Sequence, residues 1–283
     1  MLDPKTPLGR ITFVAFDTET TGTGAGTRLL EIAGSRFTDG EFEAKFEALI
    51  DPGMPIPPDS TEVHQITDEM VRGKPKAPDV LRDFFEFCEG AALVAHNAPF
   101  DAAMIGLELT RHRIPAPQNP IFDTLVAARR MFPAGAHTLD ALIDLIGLPR
   151  QDARHRAFGD AELVRHLIAR MVETMGGAGV PLRSLVEQTG PPEKLENHVL
   201  TPPPLPEALR FLADACRDRK KANLHIDGGG QRPQQRIVTP EITYEWNGNA
   251  FLEAYVADDG ASKTFRLDKI VKAEPGASSG FLF

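Results

Sequence analysis

Cysteine is scarce in this chain of 283 residues: Cys88 and Cys216 are the only two, and they lie far apart. Two thiols cannot form a zinc cluster alone or staple a small secreted scaffold, and they read as reduced cytoplasmic thiols. Long apolar runs are lacking as well. The longest, such as Ala91–Ala95, fall far short of the roughly 18 residues a membrane helix needs. The first residues, Met1-Leu2-Asp3-Pro4-Lys5, show no basic stretch leading into an apolar one, so no secretory leader is expected. The chain is therefore expected in the cytoplasm, without a membrane partner, and it has no internal repeat. What remains suffices for packed domains. At 42% hydrophobic and 25% charged residues, wholesale disorder is excluded, and the length suits one large domain or two ordinary ones.

Positive charge is in short supply, and unevenly so. The net charge is −9; residues 1–200 hold 20 of the 31 basic and 29 of the 40 acidic side chains, while 201–283 hold 11 of each. Phosphate binding draws on Lys and Arg, so an acidic surface ordinarily argues against a polyanionic partner. The exception is a protein whose carboxylates hold cations for it.

Strand and helix signals alternate over the first half. Ile11–Phe16 is short, apolar and partly β-branched, and predicts a buried strand. Leu29–Phe37 and Glu41–Ile50 predict two more, joined by the Asp39-Gly40 turn into an antiparallel meander. A helix is predicted from Pro78-Asp79 through Cys88, a buried strand at Leu93–Ala95, and a helix from Asp101 to Arg111. Thr138 is placed to cap a helix ended by Gly147 and Pro149. Ala157, Ala161, Val164, Leu167, Ile168 and Met171 line a last long helix. From 176 to 204 glycine and proline dominate, and the stretch reads as a linker. Beyond it, an amphipathic helix over Leu205–Lys221 precedes three strands, Ile242–Trp246, Ala250–Val256 and Lys263–Leu267, separated by Asn247-Gly248 and Asp259-Gly260. The expected domains are thus 1–175 and 205–283.

Three clusters carry chemistry. The first strand ends Phe16-Asp17-Thr18-Glu19-Thr20-Thr21. Residues two apart on a strand face the same way, so Asp17 and Glu19 point together while Thr18 points away. Two adjacent carboxylates at the rim of a core repel, and divalent cations remove that repulsion. A solvated strand end is the alternative for this pair alone. The second cluster, His96-Asn97-Ala98-Pro99-Phe100-Asp101, follows a buried strand at the place where an α/β sheet usually carries its ligand loop; alone, Asp101 also suits an ordinary helix cap. The third is His155-Arg156-Ala157-Phe158-Gly159-Asp160. Five residues along a helix turn about 500°, so His155 belongs on the loop before the helix if it shares a site with Asp160. Histidine is the natural general base near neutrality, although alone it equally suits a plain surface residue.

Together these clusters resemble the DEDDh family of 3′–5′ exonucleases, over about residues 8–175. Glu62–Asp68, Asp123-Thr124-Leu125 and Leu139-Asp140-Ala141-Leu142 add to the likeness. Arg156 stands where the sister subfamily has tyrosine, which selects the histidine form. The resemblance implies an α/β fold: a ribonuclease H-like exonuclease domain with a mixed sheet flanked by helices, followed by a small, mostly-β domain. It implies that Asp17, Glu19, Asp101 and Asp160 hold two Mg²⁺ or Mn²⁺ ions, that His155 activates water, and that Thr20 and Thr21 touch the terminal nucleotide. Four carboxylates and two dications nearly cancel, so the loaded site accepts a phosphate. The implied partner is nucleic acid with a 3′ end, DNA before RNA, together with repair or replication proteins.

Gly22–Gly26 follows a strand, but the next segment reads as strand rather than the helix a dinucleotide loop needs; a flexible hairpin over the substrate end is expected. Phe100 and Phe158 are expected in the core. Residues 205–283 resemble a WYL domain through Arg236–Pro240, Asn247–Leu252 and Phe265–Ile270, although the naming tripeptide reads Ala250-Phe251-Leu252. That family lines a ligand or nucleic-acid site with basic residues, which points to Arg236 and Arg266. Two other functions use the same sequence: an RNA-trimming enzyme with the same site, and a non-catalytic binding or regulatory module that retains only the fold. The presence of all five catalytic-type residues weighs against the second.

Overall fold

The computed structural model describes residues 2–133, 135–147, 156–228 and 234–276. Their contacts fall into two units, Met1–Gly22 with Arg28–Val199, and Thr23–Thr27 with Leu200–Phe283. In the first unit the apolar run ahead of Asp17 forms β1 (Thr12–Thr20), and the meander follows as β2 (Leu29–Thr38) and β3 (Glu41–Leu49), turning through Asp39 and Gly40 at positive φ. Next come α1 (Pro58–His64), α2 (Asp68–Val71), α3 (Ala77–Phe87), β4 (Ala92–Ala95), α4 (Ala98–His112), β5 (Ile121–Asp123) and α5 (Thr124–Met131). The unit's last helices are α6 (Leu139–Ile146), α7 (Ala157–Met175) and α8 (Leu182–Thr189). The sheet order is β3-β2-β1-β4-β5; β1, β2 and β3 pair antiparallel, whereas β4 pairs parallel with β1 and with β5. This is the mixed sheet flanked by helices that the family resemblance implies.

Strand alternation decides what faces what. Phe13 and Ala15 of β1 share a core with Val164, Leu167, Ile168 and Met171 of α7. Phe16 packs from the other face against Phe84 of α3, ring centroids 6.0 Å apart. Each such burial contributes about 1.5–3 kcal/mol. The same period of two carries Asp17 and Glu19 onto the α7 side and Thr18 onto the opposite side.

The 176–204 stretch corrects the linker expectation. Leu182 and Leu185 of α8 belong to the same core as Phe13 and Leu167, Leu182 N–H donates to Thr6 O (2.8 Å), and Leu195 is fully buried. The boundary therefore falls after Val199. Prolines flank this short helix, and their density hid the apolar spacing of Leu182, Leu185 and Val186.

The second unit holds α9 (Phe211–Asp218), shorter than the expected Leu205–Lys221 and stopped by Arg219 at φ 51°. Its strands are β6 (Ala222–Ile226), β7 (Gln234–Trp246), β8 (Asn249–Val256), β9 (Ala261–Arg266) and β10 (Ile270–Pro275), in the order β10-β6-β7-β8-β9. All neighbouring pairs are antiparallel. The β7–β8 turn is the expected Asn247-Gly248, with φ of 48° and 74°, the left-handed pair a two-residue hairpin requires. Within this unit Tyr244 is buried and its hydroxyl donates to Glu253 Oε1 (2.7 Å). Among the described residues no helix is long and apolar enough to cross a membrane.

Candidate active site

Three chain segments converge at the end of β1. Asp17 pairs with Ala33, and Glu19 with Glu31, across the β1–β2 register, so these side chains share one face. Asp160 lies in the first turn of α7, which packs on that face. One carboxylate oxygen from each of Asp17, Glu19 and Asp160 lies within 4.8 Å of the others, and all three residues are half-buried. Asp101 comes from the first turn of α4 and is 3% exposed. Its Oδ1 accepts a hydrogen bond from Thr18 Oγ1 (2.7 Å), so the residue that alternation turns away from the pair holds the carboxylate arriving from the other side.

The turn that delivers Asp101 is fixed from β5. Asn97 adopts a left-handed conformation (φ 68°) ahead of α4, and Asp123 Oδ1 accepts from both Asn97 N–H (3.0 Å) and Leu125 N–H (2.8 Å). His96 is bonded to Thr124 Oγ1 (3.0 Å) and His137 O (2.8 Å), which leaves it a structural role. Asp101 is therefore not the cap of its helix: Asn97 occupies that position.

The electrostatics reflect crowding. Burial, and then repulsion from Asp101, Asp160, Glu19 and Glu31, push Asp17 well above the usual carboxylate range. Glu19 is pushed up to about 8 by burial and by Asp160, Glu31 and Asp101, with Arg156 pulling the other way. Asp101 rises to about 7 because of burial, against the bonds from Thr18. Buried acids arranged this way repel one another as anions. A hard, oxygen-preferring divalent cation offsets that repulsion, and the donor set fits one.

The Exonuclease family profile matches residues 14–167, more than half of the chain and all four carboxylates. The chain belongs to the Exonuclease family. A WYL domain profile matches residues 207–275 of the second unit. Over 187 residues the chain is 41% identical to a DNA polymerase III subunit epsilon-like protein of Rhodobacter capsulatus, covering 62% of this chain and 26% of that protein. It is 40% identical over 163 residues to a PolC-type DNA polymerase III of Streptococcus thermophilus, covering 57% of this chain and 11% of that one. The chain thus spans only 26% and 11% of the length of these curated relatives. Among solved structures, a full-length 3′-exonuclease aligns with a TM-score of 0.55 at 14% identity, over 68% of this chain and 74% of that one. Exonuclease I aligns with a TM-score of 0.51 at 17% identity, over 94% of this chain and 64% of that one. The nuclease domain of a DEDDh family member bound to rAMP gives 0.52 at 14% identity, over 58% of this chain and 91% of that one. These structures share the fold, and the resemblance to DEDDh exonucleases holds.

His155 lies outside the described residues. Thr20 and Thr21 are buried, and their hydroxyls serve the strand end: Thr20 Oγ1 donates to Gly22 O (2.6 Å) and Thr21 Oγ1 accepts from Arg28 N–H (2.9 Å). Of the Gly22–Gly26 segment, expected as a flexible hairpin over the substrate end, residues 23–26 group with the second unit. Phe100 and Phe158 are only half-buried, with Lys45 Nζ 3.8 Å above the Phe158 ring. Arg236 and Arg266 do not form one site. Arg266 sits opposite Phe251, which sits opposite Tyr244, eight residues along β7 from Arg236, or on the order of 25 Å of strand. Arg266 is also tied to Asp268 through Nε (3.0 Å) and Nη2 (2.8 Å).

The sequence reading passed over Glu31. It is the lone acid of β2, set in the apolar run Leu29-Leu30-Glu31-Ile32-Ala33, and it is fully buried. A charge in that setting requires a partner, and that was the available signal.

Proposed function

We propose that this chain is a two-metal-ion 3′–5′ exonuclease that removes nucleotides from DNA ends. The observation that carries the reading is the convergence of Asp17, Glu19 and Asp160 within 4.8 Å, with Asp101 close enough to raise the pKa of Asp17. These four carboxylates would hold two Mg²⁺ or Mn²⁺ ions, which when bound supply Lewis-acid stabilisation of the phosphoryl, attacking and departing oxygens. The protein's own part is positional and protolytic. β1 presents Asp17 and Glu19 as one rigid unit, and Thr18 fixes the Asp101 carboxylate. Thr20, the last residue of β1, and Thr21 just beyond it set the end of the strand against the terminal nucleotide. His155 takes the proton from the attacking water, the role for which a neutral imidazole is suited near pH 7. DNA is favoured over RNA because the relatives that match most of the first unit are named as DNA polymerase III proteins. Those names also favour replication or repair proteins as partners and the cytoplasm as the place of action. The WYL domain would guide substrate through Arg236 or Arg266 acting separately.

Incubating the full chain with 5′-labelled single-stranded DNA or RNA tests this reading. With Mg²⁺ or Mn²⁺ the DNA is expected to shorten stepwise from its 3′ end, and EDTA is expected to stop the reaction. Shortening that persists in EDTA overturns the metal mechanism. Degradation of RNA alone assigns the same site to RNA trimming.

A further inference from the structure

The acidic face carries one more carboxylate than the proposed reaction uses. Glu31 lies directly opposite Glu19 in the β1–β2 register and is 0% exposed. Arg156 meets it as a fork, with Nε donating to Oε2 (3.0 Å) and Nη2 to Oε1 (2.6 Å). Paired donors of this kind fix geometry as well as neutralise charge. Glu31 Oε2 also accepts from Ala157 N–H (3.0 Å), the first residue of α7. The first N–H groups of a helix have no partner within the helix, and Arg156, in the N-cap position, makes no side-chain cap. A carboxylate from the neighbouring strand fills that role.

The consequence lies three residues on. Asp160 sits in the same first turn and completes the group with Asp17 and Glu19. A second tie joins β2 to α7 further along: Ser35 donates to Glu162, which Arg165 also grips through Nε (3.0 Å) and Nη2 (2.9 Å). Of these two ties, the one through Glu31 meets the first turn, which carries Asp160. We propose that Glu31 is a positioning residue for phosphodiester hydrolysis, locking Arg156 and the first turn of α7 so that Asp160 meets Asp17 and Glu19. Its partner Arg156 directly follows His155 in the chain. Arg156 is what keeps Glu31 out of the metal-binding set: both oxygens of the carboxylate are engaged by the guanidinium. This inference rests on the reading of the site given above.

The test compares full-length wild type with Glu31→Gln, Arg156→Lys, the double variant Glu31→Gln/Arg156→Lys, and Ser35→Ala as a tie beyond the first turn. Three readouts are taken: kcat and KM on 5′-labelled single-stranded DNA at saturating Mg²⁺, Mn²⁺ binding without substrate by electron paramagnetic resonance, and the melting temperature. Glu31→Gln is expected to lower kcat by about 10- to 100-fold, as slight misplacement of reacting groups does, with KM within about twofold. Its Mn²⁺ half-saturation is expected to rise at least about fivefold, by the same loss of preorganisation. Arg156→Lys keeps the charge but loses the fork, and is expected to move the same readouts in the same direction. The double variant is expected to be little worse than Glu31→Gln, because the two residues act as one unit. Ser35→Ala is expected to lower the melting temperature without altering Mn²⁺ binding.

Wild-type kcat and Mn²⁺ binding in both Glu31→Gln and Arg156→Lys overturn the positioning role, as does lost activity explained wholly by the unfolded fraction. If Glu31→Gln does not fold, Arg156→Lys decides on the same readouts. A wild-type chain that neither binds Mn²⁺ nor cuts overturns the reading of the site itself, and this role with it. A wild-type chain that does both, beside variants that match it, overturns the positioning role alone.

Discussion

Asp17→Asn is expected to cut the cleavage rate at least about a thousandfold while making the metal-free protein more stable. The loss follows from removing one member of the trio within 4.8 Å; metal stabilisation of the transition state is worth several kcal/mol, and each 1.36 kcal/mol is a factor of ten. The gain in stability follows from crowding. Burial and neighbouring carboxylates raise Asp17, Glu19 and Asp101 together. The folded chain then holds these protons more tightly than the unfolded chain, so folding stability falls as pH climbs from the ordinary carboxylate range, about 4, toward about 8. An amide at position 17 removes one charge from that competition. A gain of about 1 kcal/mol corresponds to roughly 2–4 °C in a domain of this size. Melting in EDTA at pH 8 and at pH 4 checks the sign: the variant is expected to melt higher at pH 8 and level with wild type at pH 4. Adding Mn²⁺ at pH 8 is expected to raise the wild-type melting temperature and leave the variant nearly unmoved. A variant less stable than wild type at both pH values contradicts the crowding argument.

His155→Ala is expected to slow turnover by about 10²- to 10⁴-fold, the usual contribution of a general base, while Mn²⁺ binding by the four carboxylates is retained. Its signature lies in the pH profile. A histidine base works when neutral, so wild-type kcat rises with pH through the imidazole pKa, near 6.5 if unperturbed. The variant is expected to lose that rising limb. A wild-type-shaped profile at reduced height contradicts the assignment of His155 as base and leaves it a binding or structural part.

The two mutations separate what the site does from how it is built, and the sequence disclosed these unequally. The end of β1 was legible because a period of two needs no tertiary information: apolar Phe13 and Ala15 on one face lead directly to Asp17 and Glu19. The meander was legible from Asp39-Gly40, which supplies two positive-φ residues. Helix α8 was not, because prolines at 181, 191 and 192 surround it and local composition outweighed a short apolar stripe. In the second unit, β7 is thirteen residues long where only Ile242–Trp246 was expected. Pro240 sits inside it beside a break in the β7–β8 register, and bulges are where a sheet tolerates proline.

At the site, each proposed metal-binding carboxylate was identified, but its supports were not. Thr18 was placed facing away from the pair, which is correct, yet nothing in the local sequence says that Asp101 waits there. Glu31 and Arg156 are 125 positions apart, and only the packing of α7 on β2 brings them together. Glu31 sits in Leu29-Leu30-Glu31-Ile32-Ala33, a run that reads first as a buried strand. Arg236 and Arg266 were grouped because family likeness names residue types; strand register separated them.

The central claim is that Asp17, Glu19, Asp101 and Asp160 hold a pair of divalent ions. Anomalous diffraction from crystals soaked in Mn²⁺ and a nucleoside 5′-monophosphate tests it most directly. Two manganese peaks about 3.5–4 Å apart, bounded by these four carboxylates and touching the phosphate, are the predicted result. Fully occupied manganese elsewhere, with no peak between Asp17 and Asp160, would contradict it.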